Sequence, residues 1–151
     1  MRQLGRFGLV LIVAASAGCN RAADSHADKV LPPSPPVVEV TLHDYRFEVS
    51  DDIPAGRVVF RIRNAGRAHH RPALLPLEEG LPPLDEQLRG SERAAVAPFA
   101  GTRTRAPDDT GAFAVDLAPG TRYGFVCFVR DDVVGPHALK GMSHEFRTST
   151  P

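Results

Sequence analysis

Cys127, His137 and Met142 place a thiol, an imidazole and a thioether within one short stretch, CFVRDDVVGPHALKGM, with the spacing C-x9-H-x4-M. Sulfur and nitrogen donors of this softness suit copper, and a thiolate with two imidazoles and a distant thioether accommodates both Cu(I) and Cu(II) with little rearrangement. Such a set needs one more imidazole from elsewhere in the chain. The adjacent His69 and His70 are the obvious source.

Cysteine usage sharpens the point. The chain has two cysteines, Cys19 and Cys127, and Met142 is its only methionine after the initiator. Export normally leads to paired thiols or none, so a single thiol in a mature exported domain calls for an explanation. Ligation of a metal is one; burial as a small hydrophobe is the other.

The start of the chain has the parts of an export signal: Arg2 and Arg6, an apolar run from Phe7 to Ala15, then small residues. The run falls short of the ~20 apolar residues of a spanning helix. The segment therefore reads as an export signal peptide. Ser16-Ala17-Gly18-Cys19 resembles the cleavage box of bacterial lipoproteins, which implies a lipoprotein-type signal peptide over residues 1–18 and makes Cys19 the lipid-carrying first residue of the mature chain, anchored to the cell membrane and facing the periplasm or the extracellular side. Residues 19–36 hold few large apolar side chains and end in Pro pairs, the composition of an extended tether.

Residues 37–151 have the length of one domain. With 18 basic and 18 acidic side chains in the chain, no charge excess points to nucleic acid, and no phosphate-binding loop or zinc-hydrolase signature is present. Strand patterns dominate. VVEVTLHDYRFEV alternates with a shift of parity, as expected of two strands or one bulged strand. In RVVFRIRN the apolar Val58, Phe60 and Ile62 alternate with arginines, the pattern of a half-buried strand. Pro72, after the histidine pair, suggests an edge strand or a bulge. Between Glu78 and Ala106, Leu84, Leu88 and Ala95 have helical spacing, interrupted by Gly90, which predicts one short helix in a long excursion. RYGFVCFV is apolar on both parities and belongs inside a sheet, with Cys127 pointing the same way as Tyr123 and Phe125. SHEFRT closes the domain. The pattern predicts an all-β, Greek-key sandwich with one short helical excursion between the histidine pair and the cysteine strand.

YGFVCF followed by His137 and Met142, with NAGRAHH upstream, resembles the cupredoxins, and the cysteine strand is similar to that of plastocyanin. DYRFEVSDDIPAGRVVFRIRNAG, APGTRYGFVCFV and GPHALKGMSHEF resemble bacterial cupredoxin-like exported lipoproteins. The resemblance covers most of residues 37–148 and fades between 78 and 106. It implies a type 1 centre holding one copper ion, with Cys127 as thiolate, His137 as one imidazole and Met142 as axial thioether. The other imidazole is His69 or His70. Counting back from Leu74 and Leu77 favours His70, whereas the interval after Asn64 in plastocyanin-like sequences favours His69; His70 is the expected ligand. Asn64 is expected to hold the ligand loop by hydrogen bonds. The C-x9-H loop is longer than in the smallest blue copper proteins.

The function expected is that of an exported, monomeric, one-electron carrier between envelope redox partners, not an enzyme. His137 is its electron exit, beside an apolar rim of Val133, Val134 and Pro136. A Cu(I) chaperone or buffer acting between a copper donor and acceptor, and a metal-free partner-binding domain, are the alternatives. Asp131 and Asp132 read as a solvated loop, and His144, in phase with Met142 and Phe146, as a residue buried near the site.

Overall fold

The computed structural model describes residues 33–90, 100–101, 103–133 and 135–150. The expected signal peptide, most of the tether, Cys19, Ala95 and Val134 lie outside the described residues.

Among the described residues, ten strands and one short α-helix follow in order: β1 (Val37–His43), β2 (Arg46–Val49), β3 (Gly56–Asn64), β4 (Pro72–Leu77), α1 (Leu84–Arg89), β5 (Ala100–Gly101), β6 (Thr110–Leu117), β7 (Arg122–Cys127), β8 (Arg130–Asp131), β9 (Gly135–Pro136) and β10 (Ser143–Arg147). Two four-stranded sheets have the orders β2-β1-β3-β6 and β10-β7-β4-β5, and β8 and β9 form a separate two-stranded ribbon. The fold is an all-β sandwich, as the strand pattern predicts, with α1 as its short helical excursion.

The parity shift in the first strand region is a hairpin. Asp44 and Tyr45 make a two-residue turn, and β1 pairs antiparallel with β2 but parallel with β3. Tyr45 has φ 64°, a left-handed conformation that costs a residue with a Cβ free energy unless its surroundings hold it.

Alternation puts Val38, Val40 and Leu42 of β1, Phe47 of β2, and Val58, Phe60 and Ile62 of β3 into one buried cluster. Leu74, Tyr123, Phe125, Cys127 and Phe146 of the other sheet join it, together with Ile53, Val115, Leu117 and Met142. Phe125 stacks on Phe47 at 5.7 Å between ring centroids and meets Phe60 edge-on at 5.1 Å, so one side chain of β7 touches aromatic rings of the facing sheet. Because Phe125 lies two residues before Cys127 on the same face, this contact also sets the depth of the thiol.

The other face of β7 is covered too. Val126 packs with Leu75, Leu77 and Leu84, and a Cβ at Gly124 would run into the Leu84 side chain, so the helix sits directly on the strand. Glu145 on β10 accepts a hydrogen bond from Leu84 N at 2.9 Å and pairs with Arg122, whose guanidinium donates to the carbonyls of Glu78 and Leu81. A run apolar on both parities is thus buried by a sheet on one side and a helix on the other. Pro72 is not on an edge: β4 lies between β7 and β5. Proline is tolerated because it is the first residue of its strand, where its missing N–H interrupts no ladder.

Phe125→Ala should lower stability by about 3–5 kcal/mol. Urea unfolding of the metal-free domain should show a lower midpoint with an unchanged slope.

Candidate metal centre

β3 ends at Asn64, whose side chain is fully buried and organises the loop that follows. Its Nδ2 donates to the carbonyls of Ala68 and Arg105 at 2.9 and 3.0 Å, and its Oδ1 accepts from Gly66 N at 2.9 Å. Asp44, in the β1–β2 turn, accepts from the amides of Arg67 and Ala68 through one oxygen. Amide donation, from Ala68 above all, holds its carboxyl below the usual carboxylate range. Gripped from both ends, the loop delivers His70 to a two-way backbone bridge with Arg105, at 3.0 and 2.7 Å. Arg105 is itself buried and donates to the Thr110 carbonyl, and its guanidinium fills the space that a side chain at Gly111 would need.

β4 pairs with β7 so that Pro72 stands opposite Cys127, which brings the end of the His70 loop beside the thiol. The amide of Arg71 donates to Cys127 Sγ at 3.4 Å. Beyond Cys127, the chain runs through the β8–β9 ribbon and returns in a 3-10 turn, His137–Lys140. Gly141 ends that turn with φ 99°, where a side chain would be strained. Backbone bonds then close the segment: His137 N to Val129 O, Met142 N to His137 O, and Cys127 N to Met142 O. The long C-x9-H spacing is accommodated by the ribbon, so its extra residues leave the ends of the loop together.

Three donor atoms converge. His70 Nδ1 and His137 Nδ1 are 3.2 Å apart, and Cys127 Sγ lies 3.9 and 3.7 Å from them. All three residues are buried, and they form the group among the described residues that could hold a metal ion. Nitrogen and sulfur donors ~2.0–2.3 Å from a shared ion at trigonal angles stand roughly 3.5–3.8 Å from one another, so the observed triangle is the right size for one ion. Burial pushes the Cys127 thiol up and the His70 imidazole down from their ordinary values. A bound cation would offset the burial penalty on the thiolate, and it would take the neutral imidazole that burial already favours at His70.

Of the neighbouring histidines, His69 is exposed and His70 is fully buried. The Met142 side chain is fully buried in the cluster that contains Cys127. His144 packs against Phe146 with its Nε2 3.4 Å from Asp51, and His43 hydrogen-bonds Glu48.

Two features depart from the sequence reading. His137 is only 1% exposed, so its ring does not open to solvent as an exit would. Its Nε2 lies 3.1 Å from Asp131 Oδ2, and Tyr45 meets the ring edge-on at 5.1 Å. Asp131 therefore belongs to the site and not to a solvated loop. On the other imidazole, Asp44 Oδ1 is 3.4 Å from His70 Nε2 but is not aligned for a hydrogen bond. A carboxylate four residues beyond the cysteine was visible in the sequence. Its target was not, because the ribbon's hairpin pairing brings Asp131 back over His137.

No family model matches the sequence, and neither does any curated protein. Solved structures do resemble it. Auracyanin B is 18% identical, covering 80% of this chain and 94% of its own, with a TM-score of 0.54. Dithionite-reduced auracyanin from Roseiflexus castenholzii is 15% identical over 78% of this chain and 99% of its own, with a TM-score of 0.53. Rusticyanin from Thiobacillus ferrooxidans is 20% identical over 78% of this chain and 79% of its own, at 0.50. These are cupredoxins, and the chain has the cupredoxin fold.

Asn64→Ala should strand at least one buried backbone group and cost about 1–3 kcal/mol for each. Urea unfolding of the metal-free protein should show the loss, with the change in backbone amide signals concentrated between residues 65 and 70.

Proposed function

We propose that the protein is an exported one-electron carrier in which His70, Cys127 and His137, with the thioether of Met142, would hold one copper ion. The observation that carries this reading is the buried triangle of two imidazole nitrogens and one sulfur. Bound copper would supply a Cu(II)/Cu(I) couple, the chemistry for which such a donor set is suited. The cupredoxin fold supports the reading, as do neighbours whose structures were solved in a reduced state and the single copper that cupredoxin neighbours bind.

The chain's own residues account for the rest. Asn64, the Arg105 bridge and the Arg71 amide hold the donors through the chain's own hydrogen bonds, so a change of charge demands little motion. Sandwich packing excludes water from the sulfur. Phe128, Val133 and Leu139 are exposed apolar residues on the segment from Cys127 to Met142, a surface suited to brief docking of a reduced donor protein and then an oxidised acceptor. Electrons would cross the thin cover that Asp131 and Tyr45 make over His137. Nothing in this role requires an enzyme's substrate site. A lipid on Cys19 and the 19–36 tether would keep the domain at the outer face of the membrane, within reach of its partners.

Cu(II) added to the metal-free protein should produce an intense visible thiolate-to-copper absorption at one equivalent, and Cys127→Ser should abolish it. A protein that stays colourless and takes up no copper is a metal-free partner-binding domain. One that binds Cu(I) but yields it readily to a chelator is a chaperone. Export makes a separate prediction: Cys19→Ala should move the protein from the membrane fraction to the soluble fraction.

A further inference from the structure

The β8–β9 ribbon does more than take up loop length. Asp131 Oδ1 accepts a hydrogen bond from the amide of Val133 at 3.0 Å, within the same ribbon, while Oδ2 lies 3.1 Å from His137 Nε2. One oxygen is thus tied to the backbone and the other is aimed at the imidazole. The opposite ring nitrogen, Nδ1, faces Cys127 Sγ. A neutral imidazole carries one proton, and a carboxylate can only accept, so Nε2 bears the hydrogen and Nδ1 keeps its lone pair.

We propose that Asp131 is a positioning residue: it selects the Nε2–H tautomer of His137, leaving Nδ1 as donor, and biases the centre towards the more highly charged Cu(II). The inference rests on the metal-site reading for its second part but not for its first. A negative charge shared through the imidazole strengthens Nδ1 as a donor, and a stronger donor favours the more highly charged ion. The second imidazole lacks an equal partner. Asp44 is spent on the amides of Arg67 and Ala68, and its approach to His70 Nε2 is longer and misaligned. The two histidines of the site therefore differ in what stands behind them, and the ribbon is the source of the difference.

Tyr45 closes the same corner. Its ring lies edge-on to His137, which limits rotation of the imidazole away from Asp131. Asp131 is 38% exposed at the side chain and stands outside the core, and Asp131→Asn keeps an oxygen for the Val133 amide while removing the negative charge, which separates the contact with His137 from the ribbon's own bond.

Nitrogen-15 NMR of the metal-free protein, with the imidazoles neutral, reads the tautomer directly. Wild type should show His137 as the Nε2–H form, Asp131→Ala should give a mixture, and Asp131→Glu should restore part of the bias. With copper, competition against chelators should show Asp131→Asn and Asp131→Ala weakening Cu(II) binding about 10–100-fold, with a smaller loss for Cu(I). Each tenfold excess in the Cu(II) loss raises the one-electron potential by about 59 mV. An unchanged tautomer in Asp131→Ala, or equal losses for both oxidation states, overturns the proposal. If wild type binds no copper, the metal-site reading fails while the tautomer measurement still decides the role of Asp131.

Discussion

The pairing of β4 with β7, which sets Pro72 opposite Cys127, is the constraint on which the centre depends. Side chains alternate along a strand, so a slip of one residue would turn Cys127 towards the helix and carry Phe125 out of the space between the sheets. Phe125 prevents the slip through its contacts with Phe47 and Phe60. Gly124 resists it from the other face, where Leu84 leaves no room for a side chain. The sulfur owes its position to packing on both sides of one strand.

Around that strand the polar groups are arranged to hold three donors that would not stay together by themselves. Two imidazoles and a thiol in a dry interior gain little from one another, and burial moves the thiol and the His70 imidazole towards their neutral forms. Their proximity is imposed by backbone: the Arg105 bridge on one side, and the closed 137–142 turn on the other. A site built this way stores its organisation in the fold, which is the condition for electron exchange with little rearrangement.

The turn at Asp44–Tyr45 and the β8–β9 ribbon come from opposite ends of the chain and cover the same end of the sandwich. Asp44 ties down the His70 loop, Tyr45 packs on His137, and Asp131 accepts from the outer nitrogen of that ring. His137 is consequently enclosed, while Val133 and Leu139, its neighbours in sequence, are exposed.

The strands could be read from the order of residues because their signals are local: alternation in RVVFRIRN, apolarity on both parities in RYGFVC, and the break of phase at Asp44–Tyr45. The soft-donor inventory was equally plain, since there are few sulfurs and their spacing to His137 is short. Three matters needed the folded chain. Which of His69 and His70 turns inwards depends on the bridge to Arg105, 35 residues away in a region without a clear sequence pattern. Whether Pro72 ends a sheet depends on β5, two residues long and invisible to any periodicity. That Asp131 faces an imidazole depends on a ribbon whose register is set by the turn at its tip. Sequence determines what each residue can donate and which face it prefers; pairing between distant segments decides which donors meet, because those contacts leave no periodic trace in either segment alone.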